Sequence, residues 1–359
     1  MFKIIPRIPL NYLARYFNSI LTLPVSLTFS VTYKCNFRCK TCNIWKNHYA
    51  GEELDLSQID KVFHSLGKSL YWITIDGGEP FLRKDLADIC AIIYKNCRPK
   101  ILNIPSNGSL PTETIDTVER ILRLCPAANL IINLSLDHIE EKHDVIRGHP
   151  GSFQRLLETY NGLRHIGHPR LRVGINTVIS NYNIKDWERI YLFVKELKPD
   201  SHLFEIAQLR DEFRNRELGY IVPPKEESIS LFEKLLYLKQ VNKKSILGRY
   251  LHSIRKNYYS LIEKTIICAR QIVPCFSGIA SAYILPDGKI WACCNNEWLM
   301  GNLKEYDFDF RKLWGQKSAE NMRKRIKRNK CFCLQVNSSY LNLLHSPFYS
   351  GKLIFDVLS

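Results

Sequence analysis

Apolar and polar positions alternate with two different periods along the first two thirds of this chain. Short runs with a period of two are followed by longer runs with helical spacing. The strand-like runs are Leu27–Tyr33, Tyr71–Asp76, Ile101–Pro105, Leu130–Leu136, Leu171–Ile179 and Leu203–Leu209. The helical runs are Leu56–Leu66, Leu86–Lys95, Thr112–Leu124, Phe153–His165 and Lys185–Leu197. Six strand-then-helix units with short turns predict an α/β fold, in which helices cover a parallel sheet.

Charge and hydropathy narrow the classes of partner. The 359 residues carry a formal net charge of +16, which favours an acidic partner or an anionic membrane surface, although solubility alone also explains it. Nucleic acid ranks low, because the sequence has no recognisable nucleic-acid-binding module. No apolar run is long enough to span a bilayer and no signal peptide is recognisable, so the sequence predicts a cytoplasmic protein that at most touches a membrane peripherally.

Three of the twelve cysteines follow the first predicted strand in the pattern C-x3-C-x2-C, at Cys35, Cys39 and Cys42. In a chain predicted to be cytoplasmic, cysteines are better explained as metal ligands than as disulfides. Three thiols on one loop can reach a common centre, but they are one ligand too few for a closed tetrahedral site. A non-protein ligand must then complete the shell. The alternative is a zinc site that takes His48 as its fourth ligand.

Two further blocks follow predicted strands. Asp76-Gly77-Gly78-Glu79-Pro80 comes after the second strand, and Ser135-Leu136-Asp137 with His143-Asp144-Val145-Ile146-Arg147-Gly148 comes after the fourth. Together with the cysteine triplet, these blocks resemble the radical S-adenosylmethionine (SAM) superfamily. The resemblance implies a partial (β/α)6 TIM-like barrel with its chemistry at the carboxyl ends of the strands. It also implies a [4Fe-4S] cluster with one open iron that binds SAM, and cleavage of SAM to a radical that abstracts a substrate hydrogen.

The resemblance also gives roles to single residues around SAM. The loop that binds the SAM amino group in this family matches four residues here: Gly77, Gly78, Glu79 and Pro80. Ser135 and Asp137 share one strand face, from which they would hydrogen-bond the ribose hydroxyls. Arg147 would bind the methionine carboxylate with its planar fork, or else form a surface salt bridge. Asn176 would contact the adenine, because a buried amide needs a partner.

A second cysteine group lies near the end of the sequence. Cys275 is followed after twelve residues by Gly288 and after four more by Cys293, with a Pro-Asp-Gly turn that predicts a β-hairpin between them. This spacing resembles SPASM and Twitch domains. No cysteine follows Cys333, so the shorter Twitch type with one auxiliary iron–sulfur cluster fits better. The predicted ligands are Cys275, Cys293, Cys331 and Cys333, with Cys294 as a substitute for one of them and zinc as the alternative metal.

These patterns divide the chain into five predicted parts. They are an N-terminal amphipathic helix (1–25), the barrel (26–212), a helical connector (213–270), a small hairpin-and-helix domain for the auxiliary cluster (271–335) and a tail (336–359). The N-terminal helix has an apolar stripe at Leu10, Leu13, Phe17 and Leu21. This helix would either pack across one end of the barrel or hold a membrane surface weakly through residues 1–24.

The predicted reaction begins with hydrogen abstraction and ends in two-electron oxidation or in bond formation, assisted by the auxiliary cluster. A reducing partner such as flavodoxin or ferredoxin would supply the electron.

Glu205, Gln208 and Arg210 near the end of the sixth strand would face the substrate or pair with one another. The segment before Leu27 is too short for a peptide-clasping domain, which favours a small-molecule or lipid-linked substrate over a peptide. A non-catalytic iron–sulfur or zinc scaffold is the alternative from another class, and it predicts no SAM cleavage.

Overall fold

The computed structural model describes residues 6–17, 22–46, 52–238, 246–328 and 333–358 of the chain. Within these residues the strands are β1 (Ser26–Thr32), β2 (Trp72–Gly77), β3 (Ile101–Ser106), β4 (Asn129–Ser135), β5 (Leu171–Ile179), β6 (Ser201–Ile206), β7 (Ser281–Ile284), β8 (Lys289–Trp291) and β9 (Leu299–Asn302). One sheet holds them in the order β6-β5-β4-β3-β2-β1-β7-β8-β9. β1 to β6 run parallel. All six predicted strands are present, and the predicted α/β class with a partial TIM-like barrel is confirmed.

Helices follow the strands as the periodicity predicts. The described helices are α1 (Arg7–Tyr16), α2 (Leu56–Leu66), α3 (Leu86–Cys97), α4 (Pro111–Leu124), α5 (Glu140–Arg147), α6 (Ser152–His165), α7 (Trp187–Leu197), α8 (Lys225–Tyr237), α9 (Ile246–Cys268), α10 (Phe310–Trp314), α11 (Lys317–Arg328), α12 (Val336–His345) and α13 (Pro347–Leu358). The five predicted barrel helices are all present. The pattern missed α5, because this short helix is mostly charged and buries only His143 and Ile146.

The first barrel helix shows how local sequence sets an element boundary. The Asp55 carboxylate accepts the Gln58 backbone N–H at 2.8 Å, and the Gln58 side chain accepts the Asp55 backbone N–H at 3.2 Å. This reciprocal capping box satisfies two backbone donors that a helix start leaves unpaired. The helix then buries one apolar face against the sheet, where the rings of Phe63 and Phe29 lie 5.5 Å apart.

The segment with the second cysteine group joins the barrel sheet directly. β7 pairs with β1 in parallel, and β8 and β9 continue from it as antiparallel strands. The predicted hairpin is present, and Gly288 in its turn has φ +88°, a conformation that side chains disfavour. The candidate auxiliary site is therefore attached to the edge of the barrel sheet at β1.

The predicted N-terminal helix is present, but it does not pack through its apolar stripe. Leu10, Leu13 and Phe17 are 47%, 42% and 58% exposed, so the apolar stripe is not the packing face, and Leu21 lies outside the described residues. α1 packs against α12 instead, and its Asn11 amide lies 2.9 Å from the buried His345 ring. The buried face of this helix thus includes a polar contact with a residue more than three hundred positions away, and helical periodicity carries no sign of that contact.

Residues 336–358, in the segment predicted as a C-terminal tail, form the two helices α12 and α13. α12 packs against α9, where Tyr340 and Tyr258 meet edge to face at 5.4 Å. The Asn342 side chain accepts the Phe276 backbone N–H at 2.9 Å. This segment therefore covers the side of the barrel next to the last parallel strand. Among the described residues, the longest and most apolar helices still fall short of what crossing a membrane requires.

The buried His345 predicts a specific pH dependence of folding. Burial lowers the pKa of His345 to about 4 from the ordinary 6.5. The folded pKa lies below the unfolded one, so the stability from the neutral ring is present above pH 6.5 and is lost as the pH falls toward 4. We expect His345→Gln to reduce the pH dependence of the unfolding free energy by about one proton, or ~1.4 kcal/mol per pH unit.

Urea unfolding at a series of pH values between about 6 and 4.5 measures this dependence. The matched control is His165→Gln, the same substitution at a histidine that is exposed on α6. An identical pH dependence in wild type and His345→Gln would contradict the prediction.

Candidate active site

The carboxyl ends of the parallel strands open into one cleft of ≈ 2020 Å³, counting space that is open to solvent. Parallel strands bring their ends to the same side of a barrel, so loops that are distant in sequence meet there. The cleft is lined by the cysteine triplet and by every predicted SAM-contact residue, namely Cys35, Cys39, Cys42, Gly77, Gly78, Glu79, Pro80, Ser135, Asp137, Arg147 and Asn176. Their roles toward SAM stay predictions, but their assembly around one space is a property of the fold.

Each sulfur of the cysteine triplet accepts one N–H hydrogen bond. The backbone N–H groups of Phe37 and Ile44 donate to Cys35 and Cys42 at 3.5 Å each, and the Arg147 guanidinium donates to Cys39 at 3.6 Å. Burial raises the pKa of all three thiols, that of Cys35 to about 12. The free thiols therefore keep their protons, and a metal must displace them.

Gly77 and Gly78 let the loop after β2 lie against the cysteine loop. The Gly78 N–H donates to the Thr32 carbonyl at 2.8 Å, and the Glu79 N–H donates to the Lys34 carbonyl at 2.9 Å. A Cβ on Gly77 would collide with the Thr32 carbonyl, and one on Gly78 with the Lys34 carbonyl, closer than the 3.0 Å that real Cβ atoms keep. Only glycine permits this backbone contact.

Glu79 links this loop to the turn after β3. Its carboxylate accepts the Ser106 hydroxyl at 2.9 Å and the backbone N–H groups of Asn107 and Phe81 at 2.7 and 3.2 Å. Burial nevertheless raises the pKa of Glu79 to about 7. A cationic ligand such as an ammonium group would favour the charged form of this carboxyl group.

Arg147 is buried and already has protein partners. Its Nε lies 3.2 Å from Asp137 Oδ2, an ion-pair distance without the alignment of a hydrogen bond. Its Nη2 donates to the Ser135 carbonyl at 2.7 Å. Burial alone would lower the pKa of Arg147, but Asp137 and the Cys39 sulfur raise it above the ordinary value. The arginine is therefore a buried ion-pair partner that also contacts a cluster cysteine, and the surface salt bridge considered as an alternative does not apply.

Ser135 and Asn176 lie side by side on adjacent strands, as Cα partners in the β4–β5 register. Both line the cleft. The Asp137 carboxylate is directed to the same region and accepts the Val178 backbone N–H at 2.9 Å. The structure thus brings the three predicted nucleoside contacts together at one end of β4 and β5.

The second cysteine group is also brought together in part. Asn295 donates to two of its sulfurs at 3.3 Å each, through its backbone N–H to Cys293 and through its side chain to Cys333. The Cys294 thiol lowers the pKa of Cys293 to about 7 by a hydrogen bond, whereas burial raises the pKa of Cys275 and Cys333. The predicted ligand Cys331 lies outside the described residues, as does His48. The ligand set of the auxiliary site therefore stays a prediction.

Sequence reasoning missed a group of buried acids in the same cleft. The Tyr283 hydroxyl donates to Glu212 Oε1 at 2.8 Å and lies 3.5 Å from Asp76 Oδ1. Burial raises the pKa of both carboxyl groups. The only sign of Asp76 in the sequence was its place just before Gly77, and Tyr283 reaches it through the pairing of β7 with β1.

Arg210 connects these acids to the end of β6. Its guanidinium lies 3.8 Å from Glu212 and 4.0 Å from Glu205. Glu205, Gln208 and Arg210 all line the cleft. Glu205 and Arg210 pair as one alternative predicted, whereas the Gln208 side chain accepts the Asn295 side-chain N–H at 3.4 Å. That these residues face the substrate stays a prediction. The acids, Arg210 and Tyr283 form a polar wall between the cysteine loop and the second cysteine group.

The donor set fits an iron–sulfur cluster. No three His, Cys, Asp or Glu side chains of the described residues gather closely enough to hold a single metal ion. A cubane cluster has a different requirement, because each cysteine binds its own iron. Three cysteines that line one cleft, each with an N–H donor for its sulfur, suit that requirement.

A parallel partial barrel with a three-cysteine loop at its first strand end defines the class of this protein. Residues 29–194 match the model of the Radical SAM superfamily, and residues 275–335 match SPASM, an iron–sulfur cluster-binding domain. The chain therefore carries a radical SAM domain followed by a C-terminal SPASM domain. A [4Fe-4S] cluster and SAM are its cofactors, together with auxiliary iron–sulfur binding in the SPASM domain.

Similar proteins span most of the chain at low identity. The AdoMet-dependent heme synthase of Methanosarcina barkeri is 26% identical over 84% of this chain and 84% of its own length. The antilisterial bacteriocin subtilosin biosynthesis protein AlbA of Bacillus subtilis is 23% identical over 92% and 70%. The crystal structure of Streptococcus suis SuiB bound to precursor peptide SuiA has a TM-score of 0.60 at 13% identity, over 87% of this chain and 69% of that one. At this identity the solved structure supports the fold alone.

Proposed function

We propose that this chain oxidises its substrate by two electrons after SAM-dependent hydrogen abstraction. The observation that carries this proposal is that the predicted SAM residues and the acids and Arg210 of the polar wall line one cleft, with the second cysteine group behind that wall. When bound, the cluster and SAM would supply the radical chemistry that removes a hydrogen atom, and the auxiliary cluster would supply an acceptor for the electron that follows. The chain itself must take up the proton that leaves the substrate in the same oxidation.

We assign Glu212 as the residue that accepts this proton. Its carboxylate is buried in the cleft wall, accepts the Tyr283 hydroxyl and faces Arg210. The Cys294 carbonyl accepts the Glu212 N–H at 3.4 Å, which ties this carboxylate to the loop of the second cysteine group. In the balance of the reaction, the substrate loses one hydrogen atom, one electron and one proton, and Glu212 holds the proton.

The substrate we propose is a small molecule or the head of a lipid-linked molecule. Side chains of α9 and α12, including Ile254, Val336 and Tyr340, line one side of the cleft. A cleft bounded on that side suits a compact group. The competing proposal is a peptide that inserts one side chain, and it is supported by the precursor peptide bound to SuiB.

The proposed function predicts a separation of two activities. Anaerobically reconstituted wild type with reductant should convert SAM to 5′-deoxyadenosine, and deuterium from the true substrate should appear in that product. Cys293→Ser should lose the iron of the auxiliary cluster, about two to four irons per chain, and Glu212→Gln should keep its iron. Both variants should still cleave SAM but release at least about 10-fold less oxidised product, since an electron or a proton acceptor is missing.

Three results would refute this function. Absence of 5′-deoxyadenosine with a reduced cluster present would favour the non-catalytic scaffold. Full product formation by Cys293→Ser would mean that the auxiliary cluster takes no part in the oxidation. Full product formation by Glu212→Gln would remove Glu212 as the proton acceptor.

A further inference from the structure

Reductive SAM cleavage consumes an electron that must enter from outside the protein, so one surface must receive its donor. We define the cluster-loop face as Lys34, Arg38, Lys40, Trp45 and Lys46. We propose that the cluster-loop face is the docking surface for an acidic electron-transfer protein. This inference rests on the proposed function, because a protein that does not cleave SAM reductively needs no electron donor.

The first support is an unbalanced charge. Residues 34–46 contain four basic residues and no aspartate or glutamate, and all four basic residues are exposed. Elsewhere in the described structure, ion pairs hold basic residues such as Arg83 and Arg210. Within that same described part, no carboxylate forms an ion pair with the four basic residues of the cluster-loop face, although Glu217 accepts the side chain of neighbouring Asn43 at 2.9 Å. A patch of this kind attracts a negatively charged partner.

The second support is that aromatic rings hold the cations in place. The Arg38 guanidinium lies 4.5 Å from the centre of the Trp45 ring, and the Lys46 ammonium lies 5.4 Å from the same ring. The Lys40 ammonium lies 5.1 Å from the Tyr182 ring. Side chains that are already ordered lose less entropy on binding. Arginine, tryptophan and tyrosine are also the residues that most often dominate binding energy at protein interfaces.

The third support is proximity to the cluster cysteines. Arg38 lies between Cys35 and Cys39 in the loop, and its guanidinium donates to the carbonyls of Cys35 and Phe37 at 2.9 Å each. Electron transfer weakens steeply with distance, so a donor gains most by docking where only this loop separates it from the cluster. One electron then passes from the reduced donor, which is oxidised, to the cluster, which is reduced.

The test compares a chemical with a protein reductant in the full-length, anaerobically reconstituted enzyme. The variant is Lys40→Glu/Lys46→Glu, because these two side chains contact aromatic rings and leave the loop backbone alone. The matched control is Lys327→Glu/Arg328→Glu on α11, where Lys327 lies 5.3 Å from the Tyr16 ring. Each protein receives electrons from dithionite, from a reduced acidic flavodoxin or from a reduced acidic ferredoxin, and 5′-deoxyadenosine formation is timed.

We expect all three proteins to cleave SAM equally fast with dithionite. With at least one of the two protein donors at low ionic strength, the Lys40→Glu/Lys46→Glu rate should fall about 10-fold or more, and salt should close that gap. The protein donor with which the variant's SAM-cleavage rate falls is the kind of donor that docks on this face. Equal rates for the variant and wild type with both donors, or an equal loss in the α11 control, would overturn the docking surface while the proposed function stands. Failure of wild type to cleave SAM with dithionite would overturn the proposed function itself.

Discussion

Cys39→Ser should abolish SAM cleavage. The Cys39 sulfur accepts a hydrogen bond from the Arg147 guanidinium, and Cys39 lines the cleft with Cys35 and Cys42. A serine oxygen is a poor iron ligand at neutral pH, so we expect about four irons per chain to be lost. We expect 5′-deoxyadenosine formation to fall by more than about 100-fold, because changes that only support a metal ligand already cost 10–100-fold. Iron analysis and timed SAM cleavage under anaerobic conditions measure both effects.

The matched control for this substitution is Cys268→Ser. Cys268 is exposed and stands apart from both cysteine groups, so its replacement should leave iron content and SAM cleavage unchanged. If Cys39→Ser kept its full iron content and its activity, the cysteine triplet would not be the ligand set of the cluster.

Gly78→Ala should weaken SAM binding by disturbing two loops at once. An added Cβ would meet the Lys34 carbonyl and lie 2.9 Å from the Tyr33 carbonyl, and both atoms are backbone. The loop must then move, which breaks the hydrogen bonds of Gly78 to Thr32 and of Glu79 to Lys34. We expect a loss of about 2 kcal/mol in stability and at least a 10-fold rise in the Kd for SAM, measured on the reconstituted protein.

Gly219→Ala is the matched control for the added methyl group. A Cβ at Gly219 meets no atom within 4 Å, so this variant should bind SAM as wild type does and unfold at the same denaturant concentration. Unchanged SAM affinity in Gly78→Ala would mean that the contact between the two loops does not shape the cofactor site.

The parallel barrel was predictable because its information is local. Strands such as Leu171–Ile179 have their own apolar pattern and their own flanking turns, and the structure has the same bounds. The cysteine triplet and the Gly77-Gly78 loop could also be recognised in the sequence, because each is a short contiguous motif. Their common cleft followed from the rule that parallel strands end on one side.

The polar wall of the cleft could not be predicted, because it depends on which strands become neighbours in the sheet. Asp76, Glu212 and Tyr283 come from β2, from the segment after β6 and from β7, and no spacing in the sequence links them. The burial of Asn11 has the same origin, since its partner His345 lies on the last part of the chain. In both cases a buried polar group has a polar partner that is distant in the sequence. Only the three-dimensional structure shows that pairing.

The pairing of β7 with β1 has a consequence for how this protein can diversify. Four residue pairs, from Ser26 with Ser281 to Phe29 with Ile284, hold the two strands in register. A slip by one residue would turn every side chain of the strand to the opposite face, so the hairpin cannot slide along the barrel. The register thus fixes the spacing between the cysteine triplet and the second cysteine group. We therefore expect relatives with other substrates to differ in the side chains that line the cleft rather than in this spacing.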